Sequence, residues 1–444
     1  MEQFPISIQS VCPECLCRIP ACRVSIGNDI YLEKTCPEHG SFRTIVWRGS
    51  KRFEAWLQPG FPDGPSLLPK DCPHNCISCN SHGQQPCCVL LEVTQRCDLA
   101  CTFCFASAGG STKPDPGLTA IEGWYARLLL AGGPFNVQLS GGEPCLRDDL
   151  PEIVALGRSM GFPFIQVNTN GLRISRDSAY LKRLADAGLS TVYLQFDAMQ
   201  DTVYERLRGA KLFDMKRRAI EQCAKHKIGV VLVATLVPGI NAGEIGDIIR
   251  YGLQNSPAVR GVHFQPVSYF GRYPEAPADS GRLTLPEVMR AVSEQTGGLV
   301  ALSSLRPAAS EHALCSFNGN FVLMPDGSLR PLTGAVQPCC CGQPGSAVKA
   351  RDFVARAWSY PGPVKATPGL SLGGWDDFLE RARTHLFTIS GMAFQDAWTL
   401  DLERLHRCHI FVMSPEGNLV PFCAYNLTSR SGQSLYRGSR SAAP

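Results

Sequence analysis

Six short apolar runs follow one another between residues 89 and 300: "CVLLEVT", "FNVQLSG", "FIQVNTN", "TVYLQFD", "IGVVLVATL" and "GVHFQPVS". Helical patterns separate them near 118–131, 149–160, 176–187, 214–226 and 243–254. Near-continuous apolar strands alternating with helices are the pattern of parallel β/α units, because such strands are buried on both faces. Six units in a row predict an α/β fold built as a partial (β/α)6 TIM-type barrel, with its chemistry at the C-terminal ends of the strands.

The 21 cysteines of this 444-residue chain fall mainly outside that region. They crowd residues 12–36, 72–104 and 315–423, with only Cys145 and Cys223 between 105 and 314. The N-terminus "MEQFPISIQS" lacks the basic and apolar stretches of a secretory signal, so the cysteines read as metal ligands, not disulfides, in a cytoplasmic protein. The expected domains are a Cys-rich metal-binding segment over 1–88, the barrel over 89–300, a C-terminal auxiliary metal and substrate domain over 301–428, and an unstructured tail over 429–444. Two C-terminal stretches, "NFVLMPDGSLRPL" and "IFVMSPEGNLVPFC", look alike and predict two hairpins. A net charge of +4 is too mild to predict nucleic acid as a partner. Several zinc knuckles could still make a nucleic-acid-binding module, but that reading leaves the six β/α units unexplained.

The first strand ends just before "RCDLACTFCFA". Cys97, Cys101 and Cys104 therefore sit where a barrel active site belongs, spaced C-x3-C-x2-C. Three thiolates can hold three irons of a 4Fe–4S cubane and leave the fourth open for a cofactor. The other strands end in polar rim residues: Gly141, Gly142, Glu143 and Pro144; Asn168 and Asn170; Gln195 and Asp197. Glycines there would expose backbone to a ligand, and Glu143 could accept from an ammonium group.

Three further cysteine groups stand apart. Cys72, Cys76, Cys79 and Cys87 have the spacing of a closed site for an iron–sulfur cluster or a rubredoxin-like iron, with Cys88 able to replace Cys87. Cys12 and Cys15 pair with Cys36 and His39 as two knuckles for zinc or iron, leaving Cys17 and Cys22 surplus. Cys315, Cys408 and Cys423 could hold an auxiliary cluster, its fourth ligand drawn from Cys339, Cys340 and Cys341 or left open.

The motif around Cys97, with the aromatic Phe103, resembles that of the radical S-adenosylmethionine (radical SAM) superfamily. The whole set, from CPxC through "LLEVTxRCxLxCxxCFA", "GGEP", "QVNTNG" and "VYLQFD" to "LDLERLHRCHIFVMSPEGNLVPFCAYN", looks like the archaeal tetraether lipid synthase family, whose members were formerly described as pterin methyltransferases. The resemblance implies a radical SAM barrel flanked by metal-binding N- and C-terminal domains. It implies an activating cluster on Cys97, Cys101 and Cys104, and a SAM shell including Phe103, Gly141, Gly142, Glu143, Pro144, Asn168, Asn170, Gln195 and Asp197. The implied activity is radical carbon–carbon coupling of lipid-like chains. The alternatives are a radical SAM methyltransferase of a pterin or other small substrate, or a peptide-modifying enzyme. Expected partners are SAM, the substrate, an electron donor such as ferredoxin or flavodoxin, and in passing a membrane surface. A lipid substrate would need an apolar groove, for which "FNGNFVLM", "LFTISGMAFQDAW" and "IFVMS" are the candidates. Two features depart from the family pattern: the "PCCCGQPG" triplet, and Ala198 where Gly is usual.

Overall fold

The structure is a computed structural model that describes residues 5–50, 53–57, 71–76, 85–110, 114–308, 311–332, 347–362 and 374–437. Cys79 and the triplet Cys339, Cys340 and Cys341 lie outside the described residues. Strands β1 (Ile6–Val11), β2 (Arg18–Ile26), β3 (Asp29–Cys36) and β4 (Gly40–Arg48) form an antiparallel meander. The sequence reading found little periodicity there, yet β3 alternates buried and half-buried residues, the period of a strand with one covered face. The short α1 (Phe53–Trp56) follows.

The second sheet has twelve strands. Strands β5 (Cys88–Thr94), β6 (Asn136–Gly141), β7 (Ile165–Thr169), β8 (Thr191–Gln195), β9 (Gly229–Leu236) and β10 (Val259–Pro266) are the six predicted runs, paired parallel in chain order. Between and after them come α2 (Leu118–Leu130), α3 (Leu150–Ser159), α4 (Leu172–Arg176), α5 (Ser178–Asp186), α6 (Asp201–Arg208), α7 (Phe213–Lys225), α8 (Ile245–Gln254) and α9 (Leu285–Gln295).

Beyond them the chain adds β11 (Arg306–Pro307), β12 (Ser316–Leu323), β13 (Leu329–Pro331), α10 (Ala347–Trp358), α11 (Gly374–Thr384), β14 (Leu386–Met392), α12 (Leu402–His406), β15 (Ile410–Met413), β16 (Leu419–Pro421) and α13 (Phe422–Tyr425). Strand β14 pairs parallel with β10, and β15 parallel with β5, so eight strands run parallel where six were expected. The two look-alike hairpins are β12–β13 and β15–β16, one toward each edge of the sheet. Their turns match: Met324 and Ser414 donate to Ser328 and Asn418, and Gly327 and Gly417 both adopt positive φ. The proposed apolar-groove segments are thus largely sheet strands, with Phe387 and Ile389 in the core.

Alternation explains how an apolar-looking barrel can have a polar interior. Val137, Leu139, Ile165, Val167, Val192 and Leu194 pack in the same core as helix residues such as Ile121, Leu128 and Ile153. Residues between them, including Gln138, Gln166, Asn168 and Tyr193, line a central cavity. Helix α10 helps floor that cavity: its last carbonyls accept from Arg260 Nε at 2.9 Å (Ala357) and Thr191 Oγ1 at 3.0 Å (Trp358). Only a glycine fits at 229, where a Cβ would come within 2.1 Å of the Trp358 carbonyl.

Residues 434–437, expected within an unstructured tail, are instead half-buried: Arg437 pairs with Glu92 at 2.5 Å and Tyr436 donates to the Pro73 carbonyl at 2.5 Å. Among the described residues no helix is long and apolar enough to cross a membrane.

Candidate active site

The chain leaving β5 carries Cys97, Cys101 and Cys104, and three neighbours fix that loop. From β6, Gly142 N donates to Thr94 O and Glu143 N to Arg96 O, each at 2.8 Å. That approach needs both glycines: a Cβ on Gly141 or Gly142 would stand 2.1 Å from a carbonyl of the cysteine loop. Their visible task is therefore close packing against this loop, whereas the sequence reading assigned them to ligand exposure. From α6, the Leu207 and Arg206 carbonyls accept from Thr102 N and Oγ1. From beyond β10, Arg272 exchanges both backbone hydrogen bonds with Cys104, and its Nε donates to Cys101 O at 2.9 Å.

Cys101 is buried, and Cys97 and Cys104 are half-buried. Burial pushes the Cys97 thiol up to about 12, partly offset by the Leu99 amide. Phe103 meets Tyr269 edge-on at 6.1 Å between ring centroids.

Glu143 ties the rim together. Its Oε1 accepts from Thr169 Oγ1 at 2.6 Å and Cys145 N at 2.9 Å, and its Oε2 from Asn170 N at 2.7 Å. Burial raises its pKa, while these donors favour the charged form. Pro144, also buried, opens the short turn that follows. Asn170 is wholly engaged: Nδ2 donates to Asp98 at 2.6 Å, Oδ1 accepts from Leu172 N, and its carbonyl accepts from Lys216 Nζ at 2.6 Å. Asn168 faces the cavity. Asp197 is fully buried and gives both oxygens to Arg208, at 2.7 and 2.8 Å.

Two cations that sequence reasoning missed stand beside this rim. Arg208 and Lys216 are both buried. Burial alone would depress Arg208, but Asp197 outweighs it and holds the guanidinium above its usual value, with Cys101 adding to the effect. Burial pulls Lys216 down to about 8, opposed by Asp197. A legible signal existed for Lys216: it shares the buried stripe of α7 with Ala219, Ile220 and Cys223. Three soft thiols with buried cations alongside suit an anionic thiolate-bound cluster.

The other cysteine groups fare differently. Cys12, Cys15, Cys36 and His39 converge with all ligand atoms within 4.8 Å of one another. His39 Nδ1 is 3.4 Å from Cys36 Sγ, and this contact holds the Cys36 thiol down to about 7. Three sulfurs and one nitrogen at that spacing suit a single tetrahedral zinc.

Cys72 and Cys76 lie beside Tyr436, next to the Arg437 that pairs with Glu92 near the C-terminal end of β5. Cys87 sits at the other end of that strand, donating to the His409 carbonyl at 2.8 Å and lining the cavity with Cys88. Spacing grouped Cys87 with Cys72 and Cys76, but the length of β5 separates them. Cys423 is buried and Cys315 and Cys408 are half-buried; burial raises the Cys408 thiol with Cys423 adding to it, and burial raises Cys423, opposed by the Gln395 amide and aided by Cys315.

The cavity has a volume of about 750 Å³. Phe103 and Cys104 form part of its wall, which places it against the cysteine loop. Gln138, Gln166, Thr235, His263 and Gln265 supply polar lining, and Phe317, Phe353, Phe394 and Phe422 an apolar side. Tyr193 stacks on Trp358 at 5.7 Å and lies 5.7 Å from the His263 ring.

Residues 91–252 match the radical SAM superfamily, and residues 4–48 match the HMPTM N-terminal zinc ribbon domain. The chain is 33% identical over 95% of its length to a 7,8-dihydro-6-hydroxymethylpterin dimethyltransferase of Methanocaldococcus jannaschii, covering 93% of that protein. It is 27% identical over 57% of its length to the mitochondrial GTP 3′,8-cyclase of Arabidopsis thaliana, covering 65% of it. Among solved structures, SuiB of Streptococcus suis bound to precursor peptide SuiA aligns with a TM-score of 0.41 at 16% identity, over 50% of this chain and 47% of that one.

Proposed function

The chain belongs to the radical SAM superfamily, and from that premise we propose that it transfers methyl groups to a planar, pterin-like heterocycle held in the barrel cavity. As a radical SAM iron–sulfur enzyme it works with a 4Fe–4S cluster and SAM, which together supply a primary carbon radical strong enough to take hydrogen from an unactivated C–H bond. Cys97, Cys101 and Cys104 would hold the cluster. Glu143, locked to Thr169 and Asn170, would keep the rim in place for the methionine end of SAM, and Arg208 and Lys216 would balance negative charge beside Cys101. Phe103 and the cavity walls would exclude water from the radical.

One observation carries the substrate reading: the cavity beside the cysteine loop combines side-chain amides with the aromatic group of Tyr193, Trp358 and His263. Amides satisfy the alternating donors and acceptors of a nitrogen heterocycle, and aromatic faces stack on its plane. The full-length likeness to a pterin dimethyltransferase supports the same class. Lipid coupling is the second reading, favoured by the phenylalanine side of the cavity. A lipid chain would leave the amide side without partners, at a desolvation cost.

The test is 5′-deoxyadenosine formation by the anaerobically reconstituted enzyme with SAM and a low-potential donor such as ferredoxin or flavodoxin. Stimulation by 7,8-dihydro-6-hydroxymethylpterin, with a methylated product by mass, supports the proposal. Stimulation by a long-chain ether lipid instead replaces it with the lipid reading.

A further inference from the structure

A cation from the far end of the chain reaches the cysteine loop. Arg437 lies in the stretch expected to be an unstructured tail, yet its side chain is only 13% exposed. Two anchors hold that stretch in place. Tyr436 Oη accepts from Cys76 N at 2.9 Å and donates to the Pro73 carbonyl, and Arg437 N donates to Ser434 Oγ at 3.2 Å. The guanidinium forks onto Glu92 of β5: Nη2 donates to Oε1 at 2.5 Å and Nη1 to Oε2 at 2.9 Å. Nη2 also donates to Asn426 Oδ1 at 2.7 Å. The same group lies over the ring of Phe105, 5.9 Å from its centroid, and Phe105 is the residue after Cys104. Its Nε is buried with no hydrogen-bond partner among the described residues. Burial alone would depress Arg437, but Glu92 outweighs it and holds the guanidinium above its usual value, with Tyr425 and Cys104 adding to the effect.

A buried ion pair is a weak source of stability beside well-packed apolar groups. An arginine stays protonated at every working pH, so Arg437 is a fixed positive charge. Fixed charges close to an iron–sulfur cluster act on its potential. Reduction adds an electron, which a neighbouring cation stabilises and a neighbouring carboxylate opposes. We infer that Arg437 and Glu92 together set the reduction potential of a cluster held by Cys97, Cys101 and Cys104, with Arg437 easing its reduction. Arg208 stands near Cys101 and Arg437 near Cys104, so cations from two distant parts of the chain flank the loop. The inference needs the cluster but no particular substrate, and it goes beyond the heterocycle reading without resting on it.

The experiment is an anaerobic redox titration of the reconstituted full-length protein at mildly alkaline pH, where Glu92 stays ionised. The cluster is followed by the EPR signal that added SAM perturbs. Arg437→Met should shift its midpoint to more negative potential, and Glu92→Gln to less negative potential. Each shift should change the reduced-to-oxidised ratio by roughly threefold or more, ~28 mV for a one-electron couple. The double variant, which removes both charges, should return close to wild type. Both single variants break the same ion pair, so a purely structural tie would move the two midpoints the same way. Midpoints that move together, or that stay within that threefold window, overturn the inference. Should Arg437→Met fail to assemble the cluster, Glu92→Gln decides by the sign of its shift. Loss of the cluster from both variants would make the pair a structural tie and overturn the inference as well. Methyl transfer plays no part in the readout, so failure here leaves the heterocycle reading untouched.

Discussion

Replacing Asp197 by Asn tests the rim more severely than any cysteine change, because it alters one atom and no metal ligand. Asp197 is wholly buried, Arg208 is 5% exposed, and they share two hydrogen bonds of 2.7 and 2.8 Å. In the variant one oxygen becomes an NH2 group that meets an Arg208 N–H donor to donor. The lost charge-assisted bond is worth about 1.5–3 kcal/mol. The guanidinium also stays buried without its counter-charge, so the whole change should cost about 3–5 kcal/mol. Removing both charges, as Asp197→Leu with Arg208→Met, should cost less than Asp197→Asn alone, since no isolated charge remains. Denaturant unfolding of the reconstituted protein, followed by tryptophan fluorescence, gives the comparison. Midpoints of the barrel transition are compared across the variants, because a chain with several structural units need not unfold in two states. Freed from Asp197, Arg208 would also shift beside Cys101, and SAM affinity should fall. An Asp197→Asn variant within about 1 kcal/mol of wild type, or a double variant that loses the sum of its single costs, would refute the reasoning.

Three further outcomes are expected. Burial holds His263 down to about 4, so its stabilising contribution is present above its unfolded value of about 6.5 and is lost as pH falls through about 4. The stability gap between wild type and His263→Gln should therefore narrow by up to ~3 kcal/mol from pH 7 to pH 4, and a flat gap would contradict a buried neutral imidazole. Cys36→Ser should remove one zinc per chain by metal analysis while leaving the iron–sulfur absorbance, and unchanged zinc would dismiss the Cys12, Cys15, Cys36 and His39 site. Glu143→Gln sets an NH2 group against Thr169 Oγ1 or Asn170 N, so SAM affinity should drop roughly ten- to hundredfold with clusters retained; wild-type affinity would remove Glu143 from the rim's working parts.

The six barrel strands were legible because each is a short β-branched run between helical patterns. Strands β14 and β15 were not recognised as parallel partners, because the pairing of β14 with β10 spans more than a hundred residues and "LFTISGM" carries Thr, Ser and Gly. The N-terminal sheet was hidden by its composition: "RIPACRVSI" mixes Arg, Pro and Cys into a strand whose period shows only once one face is known to be covered. At the site, residues in motifs were legible by spacing, while Arg208 was lost in the charged run "ERLRGAKLFDMKRR". Its place one residue after buried Leu207 and four after buried Tyr204 marks the inward face of α6, visible only when the helix is granted. Spacing misled for Cys87, since it carries no information about a strand standing between two ends of a motif.

The zinc ribbon is far from ornamental to this rim. Its strands grip one loop, residues 397–401. Ser10 Oγ donates to Leu400 O at 2.6 Å, Lys34 Nζ to Ala397 O at 2.7 Å, and Arg23 pairs with Asp401 at 2.5 Å with both side chains buried. The preceding Asp396 accepts from Tyr269 N at 3.0 Å and from Arg282 at 2.9 and 3.1 Å. Tyr269 in turn carries Phe103, the aromatic of the cluster loop. A path of buried ion pairs and hydrogen bonds thus joins the ribbon's strands to the cavity wall. Cys12, Cys15, Cys36 and His39 would supply four protein ligands to a metal there, the donor set of a closed structural site. The grip depends on the register of β1 to β3, which a metal held by Cys12 and Cys36 would pin, so the ribbon's contacts and the cysteine loop are joined through Asp396 and Tyr269.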